Sequence, residues 1–292
     1  MEQNTLNTCP ICDSTNFKKF MDLTDNMITK EQFTIVSCDN CGFHFTNPIP
    51  NENIIGRYYK GDAYVSHSSS KKGLINSVYN LVRNYTLSKK VNLLKELSSG
   101  KEVLDIGSGT GHFLNACKEK GFSVIGLEPD EDAVRFAKTN FDINLLPLDN
   151  LSKIEESSKD FITMWHVLEH VYHLKRDFEL ITKILKPNGK LIIAVPNLES
   201  YDAQVYKEGW AAYDVPRHLH HFRKNDIVNL ASQFGMKLEI VKPMKFDSFY
   251  VSMLSEKYKN GSNVKAFLTG LKSNRKAKEF GYSSQIYVLT KL

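Results

Sequence analysis

The sequence predicts an α/β protein, a doubly wound and mostly parallel sheet of seven strands preceded by a small cysteine-bearing N-terminal unit. Three observations carry this. From Lys101 onward short apolar runs alternate with helix-length segments, the first run opens into a glycine-rich turn, and four of the five cysteines form two Cys-x-x-Cys pairs. With 292 residues, 41% hydrophobic and 24% charged, the chain can bury a sizeable core, which excludes a disordered or collagen-like polymer. Its longest apolar stretches, such as Leu191 to Val195, fall far short of the roughly 20 residues that cross a bilayer. The N-terminus lacks a basic patch followed by an apolar run, so no secretory signal is read and a cytoplasmic location is expected.

The cysteines come first. Cys9-Pro10-Ile11-Cys12 and Cys38-Asp39-Asn40-Cys41 bring four thiolates to one tetrahedral centre, which suits a structural Zn²⁺ held by four sulfurs at about 2.3 Å. Such a site is closed and leaves no position for catalysis. Phe33, Ile35 and Val36 read as a ribbon strand before the second pair, and Gly42 supplies the positive φ of the turn after it. A redox dithiol is disfavoured by the presence of two pairs without a βαβ context, while iron–sulfur ligation stays chemically open. Cys117 reads as a small core residue. A zinc ribbon is therefore expected over residues 1–50.

Residues 51–99 are expected to form a linker and a helical bridge. Polar, Tyr-rich text fills 46–70; then Leu74, Ile75, Val78, Leu81, Val82 and Tyr85, followed by Val91, Leu94 and Leu97, keep helical spacing until Gly100. The α/β domain follows over 100–292, with strands expected at 102–107, 123–128, 143–148, 160–165 and 190–195. Helices are expected near 110–120, 130–140, 173–186 and 224–235. Late strands at 237–242 and 284–290 complete the seven, and the segment 249–281 between them reads as helical and basic. The formal charge of +5 is unevenly spread: residues 51–100 carry net +5 and 243–292 net +6, against −3 for 1–50 and −3 for 101–242. Lysine-rich solvated helix faces explain this most simply, and a phosphate-bearing small-molecule acceptor is the functional counterpart.

The central motif is Asp105-Ile106-Gly107-Ser108-Gly109-Thr110-Gly111, a strand running into a turn and then a helix, with Glu128 ending the next strand 21 residues after Gly107. An acid so placed accepts the ribose hydroxyls of an adenosine. The dinucleotide fingerprint would need glycine where His112 stands, and Asp105 would set a carboxylate beside a pyrophosphate. A cationic ligand reverses that sign, because a sulfonium and an ammonium are attracted by such an acid.

On these residues the chain resembles the class I S-adenosylmethionine-dependent methyltransferases over roughly residues 75–292. The resemblance extends to Asp160-Phe161-Ile162-Thr163, Val167-Leu168-Glu169-His170-Val171 and Leu185-Lys186-Pro187-Asn188-Gly189. It implies a Rossmann-like fold with an antiparallel last strand. It further implies that Glu128 binds the ribose, that Gly107 and Gly109, with Asp105 and Gly111 in the same loop, serve the methionyl part, and that Pro129 flanks the adenine. Asp149 falls at the adenine-amine position, and Trp165 and His166 border the methyl donor.

His166-x-x-Glu169-His170 also matches the pattern of an inverted zinc peptidase, which needs both histidines on one helix face. The preceding Phe161 to Trp165 read as strand, so that requirement is not met. Methyl transfer itself mainly needs alignment, assisted by a base for a hydroxyl or carbon acid. Trp210 to Phe222 follow the fifth strand, where open α/β sheets bind ligands, and supply candidates: His218 as base with His221 as competitor, Asp214 as orienting acid, Arg217 as anion clamp. The bland alternative is that these residues fix the loop; a metal held by the histidines is a third reading. Trp210, Tyr213 and Tyr201 are candidate stacking platforms.

A similar Pro-Arg-His-Leu segment occurs in small-molecule methyltransferases, which implies a sugar, nucleotide-sugar or quinone-like acceptor. Two alternatives belong to other classes. A zinc-ribbon RNA methyltransferase is disfavoured by an acidic ribbon and by the absence of an Asn/Asp-Pro-Pro-aromatic signature after the fourth strand. A non-catalytic cofactor-binding module is the other. The oligomeric state is not legible.

Overall fold

The computed structural model describes residues 3–59 and 74–292. Its core is a six-stranded sheet made of β6 (Glu102–Ile106), β7 (Ser123–Leu127), β8 (Lys159–Trp165), β9 (Leu185–Pro196), β11 (Met236–Pro243) and β12 (Ser284–Lys291). The order is β11-β12-β9-β8-β6-β7. Strands β6 to β9 are parallel, and β12 runs antiparallel between β9 and β11. These strands form because their apolar runs are buried on both faces: Leu191 to Val195 and Tyr287 to Leu289 have no exposed surface.

The strand expected at 143–148 is reduced to a single parallel bridge between Leu127 and Leu146. Leu146 exchanges backbone hydrogen bonds with Gly126 and Glu128, and the chain then leaves the sheet at Pro147, which caps a 3₁₀ turn, Leu148–Lys153. The sheet therefore has six strands and not seven.

Helices α2 (His112–Glu119), α3 (Glu131–Phe141), α4 (Leu174–Ile184) and α6 (Lys224–Gln233) cross over the sheet where the sequence places them. Asp130 caps α3 by accepting from the Ala133 N–H at 2.8 Å. Helix α1 (Leu74–Leu97) packs Val91 and Leu94 inward, whereas Leu81 and Tyr85, expected on the same apolar stripe, are 71% and 52% exposed. Of the linker expected over 46–70, a short strand β5 (Ile49–Pro50) and a 3₁₀ turn, Ile55–Tyr58, are observed; residues 60–70 lie outside the described residues.

The N-terminal unit is built on β2 (Phe17–Thr24), β3 (Gln32–Cys38) and β4 (His44–Thr46), with β1 (Gln3–Asn4) pairing β5. Its sheet has a fourth strand, β10 (His220–His221), which comes from the segment after β9 and α5 (Tyr201–Tyr206). His220 opposes Phe45 and His221 opposes His44. The ribbon is thus woven into the α/β domain instead of hanging from it. No helix among the described residues is long and apolar enough to cross a membrane.

Candidate functional site

Beyond the carboxyl end of β6, Gly107, Gly109 and Gly111 take positive φ values of 70°, 52° and 77°, a path that L side chains resist. The glycines differ in use. A Cβ on Gly107 would stand 2.5 Å from Val167 Cγ2, so this position is closed by packing, whereas one on Gly109 would meet nothing within 4 Å. The space over Gly109 is an open cradle. Its N–H donates to Glu128 Oε2 at 2.7 Å, and the Asp130 N–H donates to Oε1 at 2.9 Å. Burial raises the Glu128 carboxyl above the ordinary range, and these two amides partly offset it.

Asp105 is almost fully buried and accepts a hydrogen bond from Thr163 Oγ1 on β8. Burial pushes its carboxyl up to about 7, against the pull of Thr163 and of Lys90 from α1. The Lys90 ammonium, lowered by burial to about 8, sits 4.0 Å from the centroid of the Trp165 ring. Trp165 also packs edge-on against Phe113. Asp105 and Lys90 thus act on each other electrostatically, the acid at the end of β6 and the cation from α1. Pro129 is exposed next to Glu128, and Asp149 is exposed on the 3₁₀ turn that follows the Leu127–Leu146 bridge.

At the exit of β8 the backbone of His166 turns left-handed, with φ of 58°. Its Nδ1 is 3.3 Å from Glu169 Oε1 and its Nε2 3.0 Å from Oδ2 of Asp247, the first residue of α7 (Asp247–Tyr258). Burial alone would lower this imidazolium, but the two carboxylates outweigh it and raise it to about 10. His166 is thus a cation at neutral pH and cannot act as a base. The turn Leu168–His170 is 3₁₀ and not α-helical, so His166 and His170 do not share the helix face that a peptidase needs.

His218 faces this turn. Its Nδ1 lies 2.9 Å from the Ala212 carbonyl oxygen, which can only accept, so Nδ1 carries the proton and Nε2 keeps its lone pair. His170 Nδ1 donates in the same way to the Arg217 carbonyl at 2.8 Å. Glu169, His170 and His218 each bring a ligand atom within 4.8 Å of the others, and Glu169 Oε2 is buried without a hydrogen-bond partner. Burial, reinforced by His170, lowers the His218 imidazolium to about 4. The trio can accept a proton or face a cation.

The remaining candidates of this segment are committed to protein partners. Arg217 is buried, with Nη2 2.9 Å from Asp25 Oδ1 and 2.6 Å from Asp214 Oδ1, and Nη1 donating to the Tyr58 carbonyl. It clamps the ribbon and not an anion. Asp214 answers Arg217 and leaves His218 to the Ala212 carbonyl; its nearer approach to His218 Nε2 is 3.9 Å. His221 is buried against Tyr213, with Nε2 3.1 Å from Thr46 Oγ1 of the ribbon, and burial keeps it neutral. Trp210 is buried and donates to Asp202 at 2.8 Å, and Tyr213 packs edge-on against it, so neither is a stacking platform. Tyr201 lies under Lys272 and Lys276.

In the ribbon the four cysteine sulfurs gather as expected. Cys9 and Cys41 are 3.6 Å apart, Cys12 and Cys38 3.5 Å, and all four lie within 4.8 Å of one another with no disulfide. A tetrahedral Zn²⁺ with sulfur at about 2.3 Å asks for sulfur separations of about 3.8 Å. The donor set fits.

Sequence reasoning missed Lys90 and Asp247, which no motif marks. Lys90 lies on a basic stretch of α1 and Asp247 more than eighty residues past β8.

A family model described as a methyltransferase domain matches residues 79–240. The ubiquinone biosynthesis O-methyltransferase of Idiomarina loihiensis is 25% identical over 171 residues, 54% of this chain and 70% of that enzyme. The mouse mitochondrial ubiquinone biosynthesis O-methyltransferase is 26% identical over 167 residues, 52% of this chain and 45% of that enzyme. Among solved structures, magnesium protoporphyrin IX methyltransferase from Synechocystis, with bound SAH, matches at TM-score 0.56 and 14% identity, covering 83% of this chain and 100% of its own. An SAM-dependent methyltransferase from Archaeoglobus fulgidus matches at TM-score 0.51 and 19% identity, covering 72% and 94%. At these identities the structural likeness concerns the fold.

Proposed function

The chain belongs to the class I S-adenosylmethionine-dependent methyltransferases, and we propose that it methylates a hydroxyl of a small quinone-like acceptor with His218 as the base. When bound, the cofactor supplies an electrophilic methyl group on a sulfonium. The residues that would hold it are Gly107, Gly109 and Gly111 at the open cradle, Glu128 for the ribose, and Asp105 with Lys90 for the ammonium and carboxylate of the methionyl end. Pro129 and Asp149 stand on the adenine side, and Trp165 with His166 forms the wall at the β8 exit.

The observation that carries the reading is the orientation of His218. Its Nδ1 is held by the Ala212 carbonyl, so Nε2 keeps its lone pair, and the ring lies within ligand reach of Glu169 and His170. With the cofactor bound, Nε2 would take the hydroxyl proton as the acceptor oxygen bonds the methyl carbon and the sulfur–methyl bond breaks, releasing the neutral thioether, and Glu169 would balance the imidazolium. The names of the relatives favour a quinone-like ring over a sugar. The acidic ribbon gives no footprint for RNA.

The test is an acceptor screen with labelled cofactor on quinol precursors, nucleotide-sugars and total RNA. Methyl incorporation into a quinol precursor, lost in His218→Asn while cofactor binding persists, is expected. Incorporation into RNA alone, or full turnover by His218→Asn, overturns the assignment.

A further inference from the structure

Helix α7 and helix α8 (Asn263–Arg275) bury small side chains and expose bulky apolar ones, which an ordinary surface helix pair in water does not do. Turned toward the protein are mostly small residues, Ser248, Val251, Ser252 and Ser255 on α7 and Ala266, Thr269, Gly270 and Ser273 on α8, all buried. Turned outward are Phe246 at the head of α7, Tyr250 and Met253 along it, and Val264, Phe267 and Leu268 along α8, between 40% and 68% exposed. The helices approach closely: a Cβ on Gly270 would fall 2.9 Å from Phe249 Cα, and the Ser248 hydroxyl donates to the Gly270 carbonyl. Small residues at a tight helix contact and bulky apolar residues outside are what helices show when their surroundings are apolar.

The apolar face is continuous. Phe249 and Phe267 rings are 5.4 Å apart, and Phe246 meets Tyr85 of α1 at 6.1 Å, next to the exposed Leu81. Its margin is basic: Lys89 lies over Tyr85, and Lys245, Lys257, Lys265 and Lys272 are exposed around the two helices. Residues 243–292 carry nine basic and three acidic side chains, and one of the acids, Glu256, is buried and paired with Lys265.

We propose that this face, formed by α7, α8 and the outer side of α1, is a docking surface for an anionic lipid bilayer. Its apolar side chains enter the boundary between headgroups and acyl chains, and the lysines meet lipid phosphates. A second copy is a poorer occupant, because a two-fold contact sets the patch on its own copy and joins two surfaces that carry the same excess of lysine. The surface adjoins the cleft mouth, since Asp247 at the start of α7 bonds His166 at the β8 exit. On the proposed function, a docked molecule would bring the β8 exit, with His166, close to the lipid.

The test is co-sedimentation of the full chain with vesicles of phosphatidylcholine alone or mixed with phosphatidylglycerol. Binding to the mixed vesicles, weakened by high salt and by Lys257→Glu/Lys272→Glu, is expected. Phe267→Ser/Leu268→Ser should lower it about tenfold or more, with an unchanged circular dichroism melt because both positions face outward. Absence of binding to either vesicle overturns the proposal, as does binding that is indifferent to Phe267→Ser/Leu268→Ser. A dimer in the ultracentrifuge that this variant converts to monomer assigns the face to a second copy and equally overturns it.

Discussion

Arg217 Nη2 lies 2.9 Å from Asp25 Oδ1, and neither side chain reaches solvent. One residue stands beside His218 in the segment after α5 and the other belongs to the ribbon. Removing one partner leaves a buried, uncompensated charge, which costs about 3–5 kcal/mol. Arg217→Met should therefore lower the unfolding midpoint in urea strongly. The double variant Arg217→Met/Asp25→Asn should recover part of the loss, because the pair is coupled. Additive losses would show that the two residues act separately.

The ribbon also reaches His218, the proposed base. Thr46 Oγ1 donates to the His218 carbonyl at 2.9 Å, and β4 pairs with β10 two residues further on. Metal analysis of the purified chain should find zinc bound by Cys9, Cys12, Cys38 and Cys41. Chelation or Cys38→Ser should lower kcat about tenfold or more while the cofactor Kd changes little, since the cradle lies on β6 and β7. A metal-free chain with unaltered kcat would contradict this coupling.

Two glycines of the cradle should respond differently to the same substitution. Gly107→Ala drives a methyl into Val167 and should destabilise the fold, read as a fall in melting temperature. Gly109→Ala meets open space and costs only the positive φ, about 1 kcal/mol, while its methyl occupies the cradle; here cofactor affinity should fall with the fold retained. Glu128→Ala should weaken S-adenosylmethionine about a hundredfold in calorimetry, which corresponds to roughly 2.7 kcal/mol. Equal affinities for Glu128→Ala and the native chain would remove the ribose assignment.

Acid should loosen the seam between ribbon and domain. His44, His218 and His220 are buried and held neutral down to about 4, below the ordinary 6.5. Between these values the unfolded chain binds protons that the native chain refuses, so stability is complete above 6.5 and is lost as pH falls toward 4. His166 works in the opposite sense. Raised to about 10, it contributes fully below 6.5 and fades as pH rises through 10. The melting temperature should peak near neutrality and drop by roughly 5 °C or more on the acid side; a flat profile from pH 6.5 to 4.5 would exclude these histidines as the cause.

What was legible in the sequence was local. The loop from Asp105 to Gly111 declares itself because strand, turn and helix are contiguous, and the cysteine knuckles because each pair is self-contained. The expected strand at 143–148 shrinks to a single bridge at Leu146, because the chain turns into the 3₁₀ helix Leu148–Lys153 directly after Pro147. Arg217 and His221 look like catalytic equipment beside His218, yet their partners Asp25 and Thr46 are 192 and 175 residues away, and only the topology reveals them. Lys90 and Asp247 were invisible for the same reason. Helical spacing marked Leu81 and Tyr85 as core because period reports which residues share a face and not what that face meets.

The origin of β10 has a consequence for how the molecule comes into being. The N-terminal unit can gather its four cysteines as soon as residue 41 is available, but the edge of β4 stays unpaired until residues 220 and 221 arrive. Until then a young chain presents an open strand edge, the kind that recruits foreign strands. Closure over so long a separation is slow. The unit that is made first is thus among the last to be finished, and its completion reports that the segment carrying His218 has reached its place.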